Sequence, residues 1–167
     1  MTTLVFTTSS SWISAAIRWF TRSKASHVMI GIEIHGQPML LHCTSGGVQY
    51  STRKLWLKDN RIVSEWKFKA DMESGLRHAH EHLGEPYDYG TLFGWGAVIL
   101  LWRWLKIKAR NPLASPKAMV CSEFVVHMGE PELGVNKVPE WARLNPEKTH
   151  CQDLLDLMPG VSFEQVS

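Results

Sequence analysis

Between His27 and Ile34 the side chains alternate without a break. Val28, Ile30, Ile32 and Ile34 are branched and apolar, and His27, Met29, Gly31 and Glu33 sit between them. A period of two with branched residues on one side marks a strand that buries one face in a core. His35-Gly36 follows, and Gly36 suits the positive φ of a tight hairpin turn, so residues 39–44 are expected to return as the next strand. The remaining chain has to cover this ribbon. Helices or loops must supply apolar partners for the valine and isoleucine side, and the side carrying His27 faces something else.

The other segments read as follows. Residues 4–7 form a short strand. Ser9, Ser10 and Ser11 offer capping hydroxyls for a helix over about 12–20, with Ile13, Ile17 and Phe20 on one face. A further strand or two is expected within 48–68, clearest at Ile62-Val63. Residues 71–83 carry Met72, Leu76, Ala79 and Leu83 at helical spacing, and Gly84 and Pro86 end that helix. Residues 94–108 are aromatic and aliphatic with a basic end, which predicts a helix, and Pro112 and Pro116 bracket a loop. Residues 121–128 form another helix, stopped by Gly129 and Pro131, and 152–157 a short helical turn. The order predicts an α+β fold, a small antiparallel sheet packed against helices.

At 167 residues the chain fits one domain over 1–167, large enough to bury about two thirds of its unfolded surface without staples. With 44% apolar and 20% charged residues it is neither disordered nor fibrous. A formal charge of +2 argues against a nucleic-acid partner. The opening residues have no basic region followed by an apolar stretch, and the most apolar run, 94–105, contains Arg103 and falls short of the roughly 20 residues a membrane span needs. The expectation is a cytoplasmic protein.

Three cysteines at wide spacing, with no CxxC pair, give no disulfide framework and no zinc ribbon. Cys121 differs from the others because it opens an apolar helix. There the unpaired backbone N–H groups and the helix dipole favour a thiolate and can hold a developing oxyanion. In the hairpin, a two-residue His35-Gly36 turn pairs Ile34 with Gln37 and Met29 with His42. His27 and His42 then share the non-core face one diagonal apart, about 7–8 Å between backbones. Cys43 points to the other side of its strand, into the core, and Cys151 near the tail has nothing obvious to react with.

These residues resemble the circularly permuted branch of the NlpC-type papain-like cysteine amidases, which includes the lecithin–retinol acyltransferase relatives. The resemblance rests on Leu83-Gly84-Glu85-Pro86-Tyr87-Asp88-Tyr89-Gly90 leading to Cys121-Ser122-Glu123-Phe124-Val125, with Ser26-His27-Val28-Met29-Ile30-Gly31-Ile32 ahead of both. The stretch from Ser11 to Thr21 is similar to the opening helix of that branch, and Asn145-Pro146 to Asp153-Leu154-Leu155 to its closing segment. What the resemblance implies is a permuted papain-like fold in which Cys121 is the nucleophile, His27 the general base and His42 the orienting third residue, with Tyr87 beside the oxyanion site. Glu33 shares the face of His27, but six residues along the strand it is about 20 Å away. The implied reaction is hydrolysis of an amide or peptide bond, such as in cell-wall peptides, through an acyl-enzyme, and it needs no cofactor.

Other readings stand beside this one. Trp95, Trp102 and Trp104 among aliphatic residues, followed by Arg103, Lys106, Lys108 and Arg110, make the segment from Trp95 to Arg110 a candidate for peripheral membrane contact. That would suit a lipid acyl hydrolase or acyltransferase. An inactive binding module is the reading from another class. His78 and His82, one helical turn apart, could share a zinc, or lie on a solvated face opposite Leu76 and Leu83.

Overall fold

In the computed structural model, described for residues 1–86, 121–133, 138–146, 149–160 and 163–166, all neighbouring strands are antiparallel. The strands are β1 (Thr3–Ser9), β2 (His27–Ile34), β3 (Gln37–Thr44), β4 (Gly47–Thr52), β5 (Asn60–Phe68) and β6 (Phe163–Gln165), in the sheet order β4-β3-β2-β1-β5-β6. The helices are α1 (Trp12–Thr21), α2 (Arg53–Trp56), α3 (Glu73–Glu81), α4 (Cys121–Leu133), α5 (Pro139–Ala142) and α6 (Cys151–Leu157). The α+β class stands. The four-residue α2 and the edge strand β6 were not expected. No helix among the described residues is long and apolar enough to cross a membrane.

The hairpin follows its sequence. His35 and Gly36 both take positive φ, 50° and 76°, the pair that twists two strands together most naturally. Ile34 pairs with Gln37 and Ile30 with Leu41. Leu4, Phe6, Val28, Ile30, Leu41 and Cys43 form one buried face, against which Phe124, Val125 and Met128 of α4 pack together with Trp141 and Leu154. Each fully buried Phe, Leu or Ile in that layer contributes about 1.5–3 kcal/mol. The opposite face is smaller. Val5, Met29 and Leu40 pack there beneath Trp56 of α2 and Ile62.

In α4 and in α1 the structure departs from expectation. The helix beginning at Cys121 does not stop at Gly129 and Pro131 but runs to Leu133. A Cβ on Gly129 would come within 3 Å of three ring atoms of Trp141, so the missing side chain is the seat for that buried indole, which also donates to the Val126 carbonyl at 3.3 Å. Burying a tryptophan outweighs the helix penalty of about 1 kcal/mol for glycine. Pro131 lies in the last turn, where its missing N–H forfeits a single backbone bond.

The second difference is α1. Of the expected apolar face, Ile13 is 49% exposed while Ile17 and Phe20 are half-buried; Trp12 and Trp19 are exposed at 77% and 60%, and the one buried residue is Ser14. The side turned inward is polar. Ser14 Oγ lies 3.1 Å from Thr8 Oγ1 and 2.6 Å from Ser26 Oγ, and the Arg18 guanidinium donates to Ser14 Oγ, Thr8 Oγ1 and the Ser9 carbonyl. The most buried position of this helix is therefore polar, because buried hydroxyls need partners and Ser14 and Arg18 supply them.

Candidate active site

The register of β2 and β3, continued one pair beyond Ile30–Leu41, sets Met29 opposite His42. His27 is then diagonal to His42 on the same face. Their rings meet nearly edge to face, 5.6 Å between centroids. Trp56 stands over both, 5.2 Å from the His27 ring and 4.6 Å from the His42 ring, and its Nε1 donates to Thr7 Oγ1 at 3.3 Å. The two histidines are thus walled on one side by indole rather than water.

His42 is 1% exposed, and its Nε2 lies 2.8 Å from Ser51 Oγ on the next strand. Burial, and then the neighbouring charge of His27, push its pKa down from 6.5 to about 3. A neutral His42 that donates from Nε2 to Ser51 keeps a lone pair on Nδ1. That Nδ1 is buried and, among the described residues, without a hydrogen-bond partner; the same holds for Nε2 of His27. One acceptor and one potential donor are therefore left over on two adjoining rings.

Cys121 opens α4 and packs on the opposite, apolar face, yet its sulfur reaches His27 where the β2–β3 pairing ends. The thiol is held well below the usual range. The largest cause is a hydrogen bond from the thiol of Cys151; burial opposes it, and the charge of His27, a hydrogen bond with His27 and another from the backbone N–H of Val28 add to it. Cys151 moves the other way, well above the usual range, chiefly because it donates to Cys121. Of the two we take Cys121 as the thiolate, since it alone has the imidazole and the Val28 N–H. Cys43 is fully buried, as its strand alternation requires, and burial pushes its thiol up to about 12.

The expected site residues therefore divide. Cys121, His27 and His42 come together, while Tyr87 lies outside the described residues, as does the segment from Trp95 to Arg110. The motif ahead of Tyr87 docks on β4: Gly84 N–H donates to the Val48 carbonyl and Val48 N–H to the Glu85 carbonyl, both at 2.9 Å. Cys151 corrects the sequence reading that gave it nothing to react with. Its partner is remote in sequence, and no local pattern announces it. Ser51 and Trp56 were also missed. The glycines at 46 and 47 mark the β3–β4 turn that brings Ser51 beside His42, so that residue had a signal.

His78 and His82 lie ring to ring at 4.9 Å. His78 Nδ1 is 3.3 Å from a Glu81 oxygen, and His82 Nδ1 is 2.8 Å from one of Glu85, a carboxylate contact off hydrogen-bond geometry. No three or more His, Cys, Asp and Glu side chains gather as a metal site among the described residues.

The helix that carries Trp56 is tied to β5 by a partly buried ion pair. Arg53, at the start of α2, binds both oxygens of Glu65 on β5 at 2.7 and 2.6 Å, and Thr3 donates to the same carboxylate at 3.0 Å. Arg53 above all holds the Glu65 carboxyl below its ordinary value, against the cost of burial. A depressed carboxylate adds stability above its unfolded pKa and loses it as pH falls through the folded value. Glu65→Gln should therefore cost about 1–3 kcal/mol near pH 7. Urea unfolding as a function of pH should show the gap closing in acid, below the ordinary carboxylate range. A gap that stays constant down to acid pH would count against this role for the pair.

No protein-family model and no curated protein sequence matches the chain. Among solved structures, the fold is similar to a crystal structure described as the metalloprotein YiiX from Escherichia coli O157:H7, DUF1105. The likeness has a TM-score of 0.59 and 19% identity, and it covers 99% of this chain and 94% of that one. At that identity it speaks for a shared fold alone.

Proposed function

We propose that the chain is a cysteine hydrolase of the permuted papain-like, NlpC-type class, acting on amide or peptide bonds, with cell-wall peptides as the substrate class. The observation that carries this reading is the meeting of a thiol pulled toward its thiolate with an imidazole whose far side adjoins a neutral, buried second imidazole. Cys121 Sγ attacks the carbonyl carbon. The tetrahedral oxyanion collapses, and protonated His27 gives its proton to the departing amine, leaving a thioester on Cys121. Neutral His27 then takes a proton from water, whose oxygen displaces the thiolate and releases the acid. A modest ring movement lets His27 Nε2–H donate to His42 Nδ1, which fixes the tautomer that presents Nδ1 to the sulfur.

The test is mass mapping after rapid quench with cell-wall peptides and, separately, phospholipids. An acyl mass on the Cys121 peptide with the former supports the reading. An adduct on another cysteine, or none under conditions that alkylate Cys121, overturns it.

A second reading, a lipid acyl hydrolase working at a membrane surface, draws on α1. Trp12, Ile13 and Trp19 point outward, the exposed Arg22 and Lys24 follow the helix, and residues 1–32 contain no acidic side chain. Exposed tryptophan with cationic neighbours fits an anionic bilayer interface. The helix is tied through Ser14 and Ser26 to the residue before His27, so a bilayer held there would lie close to the site. In flotation with phosphatidylserine-containing vesicles, Trp12→Ser/Trp19→Ser should reduce bound protein at least several-fold at low salt. Equal flotation of the variant and the parent would remove this support.

A further inference from the structure

We propose that Cys121 and Cys151 are a redox pair, closing to a disulfide when a hydroperoxide oxidises Cys121 and reopening with a dithiol reductant. The ground is their placement. Cys121 is the first residue of α4 and Cys151 the first of α6, thirty positions apart in sequence. The two helix starts are clamped together by the Ser122 hydroxyl, which donates to the Thr149 carbonyl at 2.7 Å within the buried layer. The thiols themselves are joined by a hydrogen bond, and both are nearly buried, at 7% and 5% exposure. The hydrolytic reading uses the Cys151 thiol only as a hydrogen-bond donor to its nucleophile, which leaves the sulfur of Cys151 itself without a reaction.

The chemistry balances in two steps. The Cys121 thiolate attacks the terminal oxygen of the hydroperoxide; the O–O bond breaks, the sulfur becomes a sulfenic acid and the peroxide leaves as an alcohol after taking a proton. Cys151 then loses its proton and attacks the Cys121 sulfur; the S–O bond breaks, water leaves and the disulfide forms. Two thiols are oxidised by two electrons in total, and one peroxide is reduced to alcohol and water. Oxidation also frees Cys151 to act. Its thiol is raised largely by donating to, and lying beside, a charged Cys121, and that charge disappears in the sulfenic acid. Cys43 is a poorer partner because it is locked in β3 opposite Val48 of β4, within the core.

Formation of the disulfide is independent of the hydrolase reading; its silencing of turnover rests on that reading. The experiment treats the full chain with one equivalent of hydrogen peroxide, blocks free thiols and maps the peptides. The expected result is loss of two of the three thiols, a linked Cys121–Cys151 peptide, and recovery of both with dithiothreitol. In Cys151→Ser, dimedone should trap a sulfenic acid on Cys121, and over-oxidation to sulfinic acid should run at least tenfold faster than in the parent. A linkage to Cys43, or equal over-oxidation of parent and variant, would overturn the proposal. Because these readouts need no substrate, a failure of hydrolysis leaves them intact, and a hydrolase with no such linkage would sink the redox pair alone.

Discussion

Cys121→Ser is expected to abolish covalent labelling and to lower turnover of any accepted acyl substrate by about 10³-fold or more, as removal of a nucleophile does elsewhere. The alkoxide of serine lies several pH units farther from reach than the thiolate, and the surroundings of Cys121 favour a large, polarisable anion through His27, Val28 N–H and Cys151. The same surroundings predict where an alkylating probe goes. At about pH 6, well below an ordinary thiol, iodoacetamide should modify Cys121 and spare Cys43, whose thiol burial pushes up to about 12. His27→Ala removes one of the contacts that favour the thiolate, so it should slow that labelling at least tenfold and turnover by roughly 10³. Peptide mass mapping at several time points gives both rates. Uniform labelling of Cys43, Cys121 and Cys151, or full activity in Cys121→Ser, would end the hydrolase reading.

The parts of this site legible in the sequence are those set by short-range rules. Strict alternation and Gly36 fixed the β2–β3 register, and with it the shared face of His27 and His42, because a one-residue slip would have turned every isoleucine outward. The helix start at Cys121 was legible from the apolar run behind it. What long-range packing decides was not legible. Cys151 meets Cys121 because two helix starts converge, and nothing in either neighbourhood encodes the other. Trp56 covers the histidines because Arg53 reaches Glu65 across the sheet, a pairing over twelve positions with no periodic trace. On α1 the spacing of Ile13, Ile17 and Phe20 missed the one buried position, which Ser14 takes as part of a polar network with Arg18. Gly129 was read by propensity as a stop, whereas its role is to leave room for Trp141.

His42 carries the second large effect, and it shows in stability before it shows in rate. Its imidazole is neutral in the fold down to about pH 3, whereas in the unfolded chain it charges near 6.5. Between those values the unfolded state binds the extra proton, so this residue costs the fold stability as pH falls. By pH 4 the loss amounts to roughly 3 kcal/mol relative to neutral pH, at 1.36 kcal/mol per unit. His42→Asn keeps an amide that can bond Ser51 and accept from His27, but it has nothing to titrate. Urea unfolding of the parent should therefore lose about that much more stability than the variant between pH 7 and 4, whichever is more stable at neutral pH. The rate data should behave differently. A neutral, orienting His42 does not ionise in the working range, so His42→Asn should lower turnover, by about 10–100-fold, without moving the acid limb of the pH profile. His42→Phe, which fills the space but accepts no hydrogen bond, should lose more. A shifted acid limb in His42→Asn would mean that His42 carries the proton itself, and the division of labour between the two histidines would have to be reversed.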